Sequence, residues 1–148
     1  MTERSSSCRR CTTPLVAGAR YCHACGVEQV AAASGEYTLY DLDRFFTYAV
    51  DMLCIAGVDG RFKRVNPSFV RVLGWSVEEL LARPFLDLVH PDDSTETMAE
   101  IGKLSNGQPT LAFTNRYRCK DGSYKKLHWT SYPETGTGLL YAVAREVP

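Results

Sequence analysis

Cysteine spacing divides this sequence into two parts. Four of the six cysteines fall within "CRRCTTPLVAGARYCHAC", residues 8–25, as two CxxC pairs, Cys8 with Cys11 and Cys22 with Cys25, ten residues apart. A CxxC turn aims two thiolates at one point, and two such turns complete a tetrahedral S4 set that suits zinc, an ion without redox chemistry. The stretch between the pairs offers Pro14 and Gly18 as turn formers, and Leu15, Val16 and Tyr21 as its apolar set. That is enough for a short hairpin but not for a core, so a metal must hold the segment together. Structural zinc supplies on the order of 10–16 kcal/mol of apparent folding free energy to such peptides. The sequence thus predicts a structural zinc site at Cys8, Cys11, Cys22 and Cys25.

Two redox-active pairs are the competing reading of the same cysteines, but no βαβ pattern of thioredoxin type surrounds them. His23 lies between two ligands, and with four thiolates filling the site it is expected to face solvent. Four protein ligands also leave no open position for zinc catalysis. The spacing, and the phrase "GARYCHACG", resemble the zinc-ribbon family found at the ends of bacterial proteins, over residues 8–26.

The whole chain has 148 residues, 45% of them apolar and 23% charged, with a formal net charge of zero. That composition supports one ordinary core and a small appendage, and argues against a general nucleic-acid or membrane-surface binder. No apolar run approaches the roughly 18 residues of a membrane span. "MTERSSSCRRC" lacks the apolar stretch of a secretory signal. A cytoplasmic location is expected, where thiols stay reduced.

"VEQVAAASGEY" reads as a flexible joint, giving expected boundaries of 1–28 for the ribbon, 29–36 for a linker and 37–148 for the main domain. A helix is expected over 38–50, capped by Thr38 or Asp41, with Leu42, Phe45, Phe46 and Ala49 as one apolar stripe. Tyr37, Tyr40 and Tyr48 lie partly off the stripe, so a second face meets either its own domain or a partner subunit.

Beyond it, Asp59-Gly60 between apolar runs signals a hairpin. Asn66-Pro67 reads as a helix start, with Phe69, Val72 and Leu73 on one face and Gly74 at the end. Ser76 and Glu79 have capping-box spacing, as do Asp93 and Glu96, after which Met98, Ile101 and Leu104 are expected to face inward. Leu111, Phe113, Tyr117 and Cys119 then alternate with polar residues, "KDGS" turns, Leu127 and Trp129 continue the alternation, and "GLLYAVARE" is apolar on both faces, as a central strand would be. Two strands, short helices and three strands make an α+β antiparallel sheet with helices on one face.

The words "DGRFKRVNPSFVRVLGWSVEELLARPFLDLVHPDD", "YRCKDGSYKKLHW" and "GLLYAVARE", in this order, resemble the PAS family over roughly residues 40–147. The resemblance implies a five-stranded antiparallel sheet of order 2-1-5-4-3, cupped on one face by short helices. It also implies sensing of a small molecule, light or redox state, or pairing with other domains, and relay to an attached effector. Such domains often end in an Asp-Ile-Thr segment, whereas here "AREVP" closes the sequence. That ending fits either a piece of a longer sensor or a stand-alone module.

The family's ligand hollow would be lined here by Phe69, Leu73, Leu80, Phe85, Ile101, Leu104, Phe113, Tyr117, Leu127, Trp129 and Tyr141, the alternative being that they simply fill the core. No Gly-x-Asn-Cys-Arg-Phe phrase of the flavin photosensors occurs, and the stretch from Ser94 to Ser105 has no histidine of the kind that haem-binding members use. Haem and flavin are not expected. Cys54 and Cys119 fall in predicted strands as small buried residues, and His128 is out of phase with the inward positions. No nucleophile elbow, phosphate loop or HExxH appears, so no catalytic residue is assigned. The leading expectation is a non-enzymatic sensor or interaction module, a homodimer or the partner of another signalling protein, with the ribbon as a docking element. The alternative is a nucleic-acid-binding regulator that uses the ribbon, whose Arg4, Arg9, Arg10 and Arg20 are mildly basic but lack aromatic stacking platforms.

Overall fold

A computed structural model of the chain describes residues 11–13, 22, 24–25 and 35–148. Cys8, His23, residues 14–21 of the hairpin expected over 12–21 and residues 29–34 of the expected linker lie outside the described residues, as do the side chains of Tyr37, Thr38, Tyr40 and Asp41. Two compact units divide the chain, Met1–Asp43 and Arg44–Pro148. Helix α1 spans Gly35–Tyr48, beginning and ending a little earlier than its sequence pattern suggests.

The larger unit is built on a five-stranded antiparallel sheet. Strands β1 (Met52–Gly57) and β2 (Phe62–Val65) form a hairpin. Its turn needs Gly60 at φ 82°, a left-handed conformation that glycine adopts without a Cβ clash. Helices α2 (Pro67–Leu73), α3 (Val77–Leu81) and α4 (Ser94–Ser105) follow, with 3-10 turns at Phe85–Leu88 and Pro91–Asp93. Strands β3 (Thr110–Arg118), β4 (Tyr124–Glu134) and β5 (Leu139–Glu146) complete the order β2-β1-β5-β4-β3.

Local signals account for most of these boundaries. Ser76 and Glu79 form a full capping box: the Glu79 amide donates to Ser76 Oγ at 3.2 Å, and the Ser76 amide donates to Glu79 Oε2 at 2.9 Å. Gly74 ends α2 at φ 80°, its amide bonded to the Val70 carbonyl at 2.9 Å. One sheet face buries Met52, Cys54, Leu127, Trp129, Leu140 and Ala144 against Phe69, Leu73, Leu80 and Leu88 of the helical layer.

Four expectations need correction. Asn66 occupies the N-cap of α2 but makes no capping bond. Its buried side chain instead accepts from the Leu53 amide at 3.0 Å and donates to the carbonyls of Phe46, at 3.1 Å, and Asp51, at 3.0 Å. Asp93 and Glu96 form no second capping box, because Arg116 engages the Asp93 carboxylate three times, its amide to Oδ2 at 2.8 Å, Nε to Oδ2 at 2.9 Å and Nη2 to Oδ1 at 2.6 Å. Met98 is 60% exposed and Thr97 is buried in its place, since Thr97, Ile101 and Leu104 follow the i, i+4, i+7 helical face. Leu111 is 65% exposed because the pairing of β3 with β4 shifts between Thr110 and Phe113. That bulge inserts one residue and reverses the in-out phase before Phe113.

Where the chain enters and leaves the sheet, Met52 pairs with Ala144 across β1 and β5. Beside them Arg145 clasps Asp51 through two bonds, Nε to Oδ1 at 3.0 Å and Nη2 to Oδ2 at 2.6 Å.

Candidate functional site

In the smaller unit, the Sγ atoms of Cys11, Cys22 and Cys25 all lie within 4.8 Å of one another. Cys11 Sγ and Cys22 Sγ are 3.6 Å apart. Zinc–sulfur bonds of about 2.3 Å in a tetrahedron put neighbouring sulfurs about 3.8 Å apart, so this spacing fits thiolates sharing one ion. The Ala24 amide also donates to Cys22 Sγ at 3.4 Å. Cys22 is buried, and the other two are half-buried. The fourth expected ligand, Cys8, lies outside the described residues.

In the larger unit, a cavity of about 60 Å³ opens between α4 and the inner face of the sheet. A cross-strand row of small side chains forms its floor. Cys54 of β1 pairs with Ala142 of β5, Ala142 with Ser131 of β4, and Ser131 with Thr110 of β3. Its walls include Phe62, Phe85, Phe113, Tyr117 and Trp129, with Thr97, Glu100, Ile101 and Leu104 from α4. The rings interlock: Tyr117 and Trp129 lie 5.3 Å apart between centroids, and Phe62 and Phe85 5.5 Å apart.

A buried polar chain ties the sheet to α4. Trp129 Nε1 donates to Asn115 Oδ1 at 2.8 Å, Asn115 Nδ2 to Thr97 Oγ1 at 3.1 Å, and Thr97 Oγ1 to the Asp93 carbonyl at 2.8 Å. Thr110 Oγ1 donates to Glu100 Oε2 at 2.9 Å. Glu100 also accepts from Lys103, and this bond, more than that from Thr110, holds its carboxyl below the ordinary value. Burial pushes the Cys54 thiol up to about 12, so it remains protonated at neutral pH. Burial likewise raises the Tyr117 phenol.

Of the residues expected to line a hollow, Phe85, Ile101, Leu104, Phe113, Tyr117 and Trp129 do so. Phe69, Leu73, Leu80 and Leu127 lie elsewhere in the core, each at most 1% exposed. Tyr141 sits on the opposite sheet face, 45% exposed, since alternation along β5 turns Leu140 and Ala142 inward. Sequence reasoning overlooked Thr97, Asn115 and Ser131. Asn115 and Ser131 stand two residues from Tyr117 and Trp129, so strand phase alone would have placed them inside. On α1, Leu42 and Phe45 are exposed and Phe46 is half-buried, with the Arg64 guanidinium 4.3 Å above its ring; Ala49, also half-buried, lies just past the end of the helix. His128 lies on the outer face opposite Thr114, as its phase predicts.

This topology, with its helices gathered over one sheet face around a small hollow, is that of a signalling-domain fold. Residues 62–138 match the family model described as "PAS fold", and the chain belongs to that family. A White collar 2 protein of Neurospora crassa is 32% identical over 88 residues, 60% of this chain but only 16% of the relative's length. Solved structures share the fold as well. The PAS domain of an HTR-like protein from Haloarcula marismortui is 24% identical with a TM-score of 0.64, covering 76% of this chain and 93% of that one. Cycle PAS-B of Drosophila melanogaster with bound ethylene glycol is 21% identical with a TM-score of 0.55, covering 65% and 97%.

Proposed function

We propose that this chain is a signal-transduction module that works by changing contacts rather than by turning over a substrate. The observation that carries the reading is the cavity between α4 and the sheet, lined by aromatic rings but floored by small side chains. The domain takes a small ligand there, or a partner on its surface, and relays the state through α1 and the outer sheet face. That face exposes Tyr132, Tyr141 and Val143, and α1 exposes Leu42, Phe45 and Tyr48, apolar surface that suits a second copy or a signalling partner. The Cycle domain with ethylene glycol supplies a precedent for a small polar molecule within this fold.

In the same proposal, zinc bound by Cys8, Cys11, Cys22 and Cys25 fastens the N-terminal segment as a docking element. The ion would contribute folding free energy and no chemistry, because four thiolates close its coordination. No described helix is long and apolar enough to cross a membrane, and we place the module in the cytoplasm, where its cysteines stay reduced.

Native mass spectrometry of the full chain tests the reading in one measurement. One zinc per chain and a dimer are expected, with a small molecule retained in part of the population. A metal-free monomer with full secondary structure would remove both the fastener and the relay. Nucleic acid is not an expected partner: random DNA should show no affinity at low salt, where phosphate contacts are strongest, and tight binding there would favour a regulator acting through the ribbon.

A further inference from the structure

The cavity has space because four positions of its floor, Cys54, Ala142, Ser131 and Thr110, carry small side chains in one cross-strand row. Its polar groups fall into two sets. Asn115, Trp129 and Thr97 are committed to one another, and Thr110 to Glu100. Ser131 and Tyr117 are not committed. They are only 7% and 3% exposed, and among the described residues neither hydroxyl makes a hydrogen bond. Neither oxygen is sealed off, for among the described residues it is Arg118 Nε that is both buried and without a partner, so a molecule entering the hollow can reach both hydroxyls. Two such groups on one hollow define a site whose bonding a guest completes.

Size and charge narrow the guest. A cavity of about 60 Å³ is less than half the roughly 150 Å³ that admits benzene. Glu100 is the acidic residue of the lining, and its carboxylate is already held by Thr110 and Lys103. Cys54, also in the lining, is kept neutral by burial. A charged guest would lose its hydration without gaining a counter-charge.

We infer that the cavity selects a small uncharged molecule of about three or four non-hydrogen atoms bearing hydroxyl or carbonyl groups, with the Ser131 and Tyr117 hydroxyls as its hydrogen-bond partners. This rests on the reading of the cavity as a ligand site and adds the class of ligand and the groups that recognise it. Each hydroxyl donates one bond and accepts others, so a diol, an alcohol or a small ketone can satisfy the pair.

Amide NMR spectra of the full chain test this with two probes, ethylene glycol as the polar guest and xenon, which fills dry apolar voids, as the apolar one. Both should shift the amides of Thr110, Ser131 and Ala142 saturably. Ser131→Ala and Tyr117→Phe, checked for unchanged spectra elsewhere, should each weaken ethylene glycol binding by about five- to ten-fold, the loss of one hydrogen bond. Xenon binding should be unaffected. Ala142→Leu should fill the floor and abolish both responses. Ethylene glycol binding unchanged in both hydroxyl variants, or xenon binding without ethylene glycol binding in the unaltered chain, would overturn the hydroxyl assignment and leave the ligand site standing. Silence of the cavity amides toward both probes would overturn the ligand site itself, and this inference with it.

Discussion

Asn66 has no exposed surface, yet its side chain serves neighbours rather than the helix it begins. By holding the Leu53 amide and the carbonyls of Phe46 and Asp51, it joins the end of α1 to the first residues of β1. Ser68 adds a bond from its hydroxyl to the Ala49 carbonyl at 2.7 Å. Alanine at position 66 would leave one donor and two acceptors, all partly buried, without the partner that Asn66 supplies. The Asn66→Ala chain should therefore lose about 2–4 kcal/mol in urea unfolding, and a loss under about 0.5 kcal/mol would refute the role. Asn66→Asp should not rescue it, since a carboxylate cannot donate to the two carbonyls. The sequence placed Asn66 correctly at a helix start but could not show this role. A cap is a local pattern, whereas these partners lie up to twenty residues away.

Among the elements, α4 illustrates both the reach of pattern reading and its limit. Its extent was legible from Ser94 to Ser105, but its inward face was not, because Met98 is more apolar than Thr97 while geometry favours Thr97. Burial of that threonine is compensated by its bonds to Asn115 and to the Asp93 carbonyl. The bulge in β3 misled in the same way, since an inserted residue leaves no mark in a strictly alternating pattern. The cavity suffered from both errors: its aromatic walls stood out in the sequence, and its polar chain did not. Asp93 anchors the start of α4 to β3. The side-chain hydrogen bonds of Arg116, opposed by some desolvation, hold its carboxyl below the ordinary 3.8. A depressed carboxyl contributes stability that is present above its unfolded value and lost as pH falls through the folded one. Asp93→Asn should therefore be less stable than the unaltered chain at neutral pH, with the gap closing below about pH 4. Thermal unfolding across that range measures it, and a gap independent of pH would exclude the ion pair as the cause.

At the scale of the molecule, two units carry different kinds of stability. The larger one buries an apolar layer, while the smaller one gathers three cysteine sulfurs. Cys22→Ser, or a strong zinc chelator, should release metal and abolish the signature of the N-terminal segment while the main thermal transition persists. Calorimetry with elemental analysis reads both, and joint melting would contradict the independence of the units. In the larger unit, the clasp between Asp51 and Arg145 is exposed, and its contribution to stability is modest. Its significance is one of plumbing. Inlet and outlet of the sheet sit side by side, a single strand spacing of about 4.8 Å apart. A twist imposed on the polypeptide just ahead of β1 is therefore expected to reach the residues after β5 without passing through the helical layer. A fusion that twists one thread should accordingly be felt on the other, even with the hollow empty.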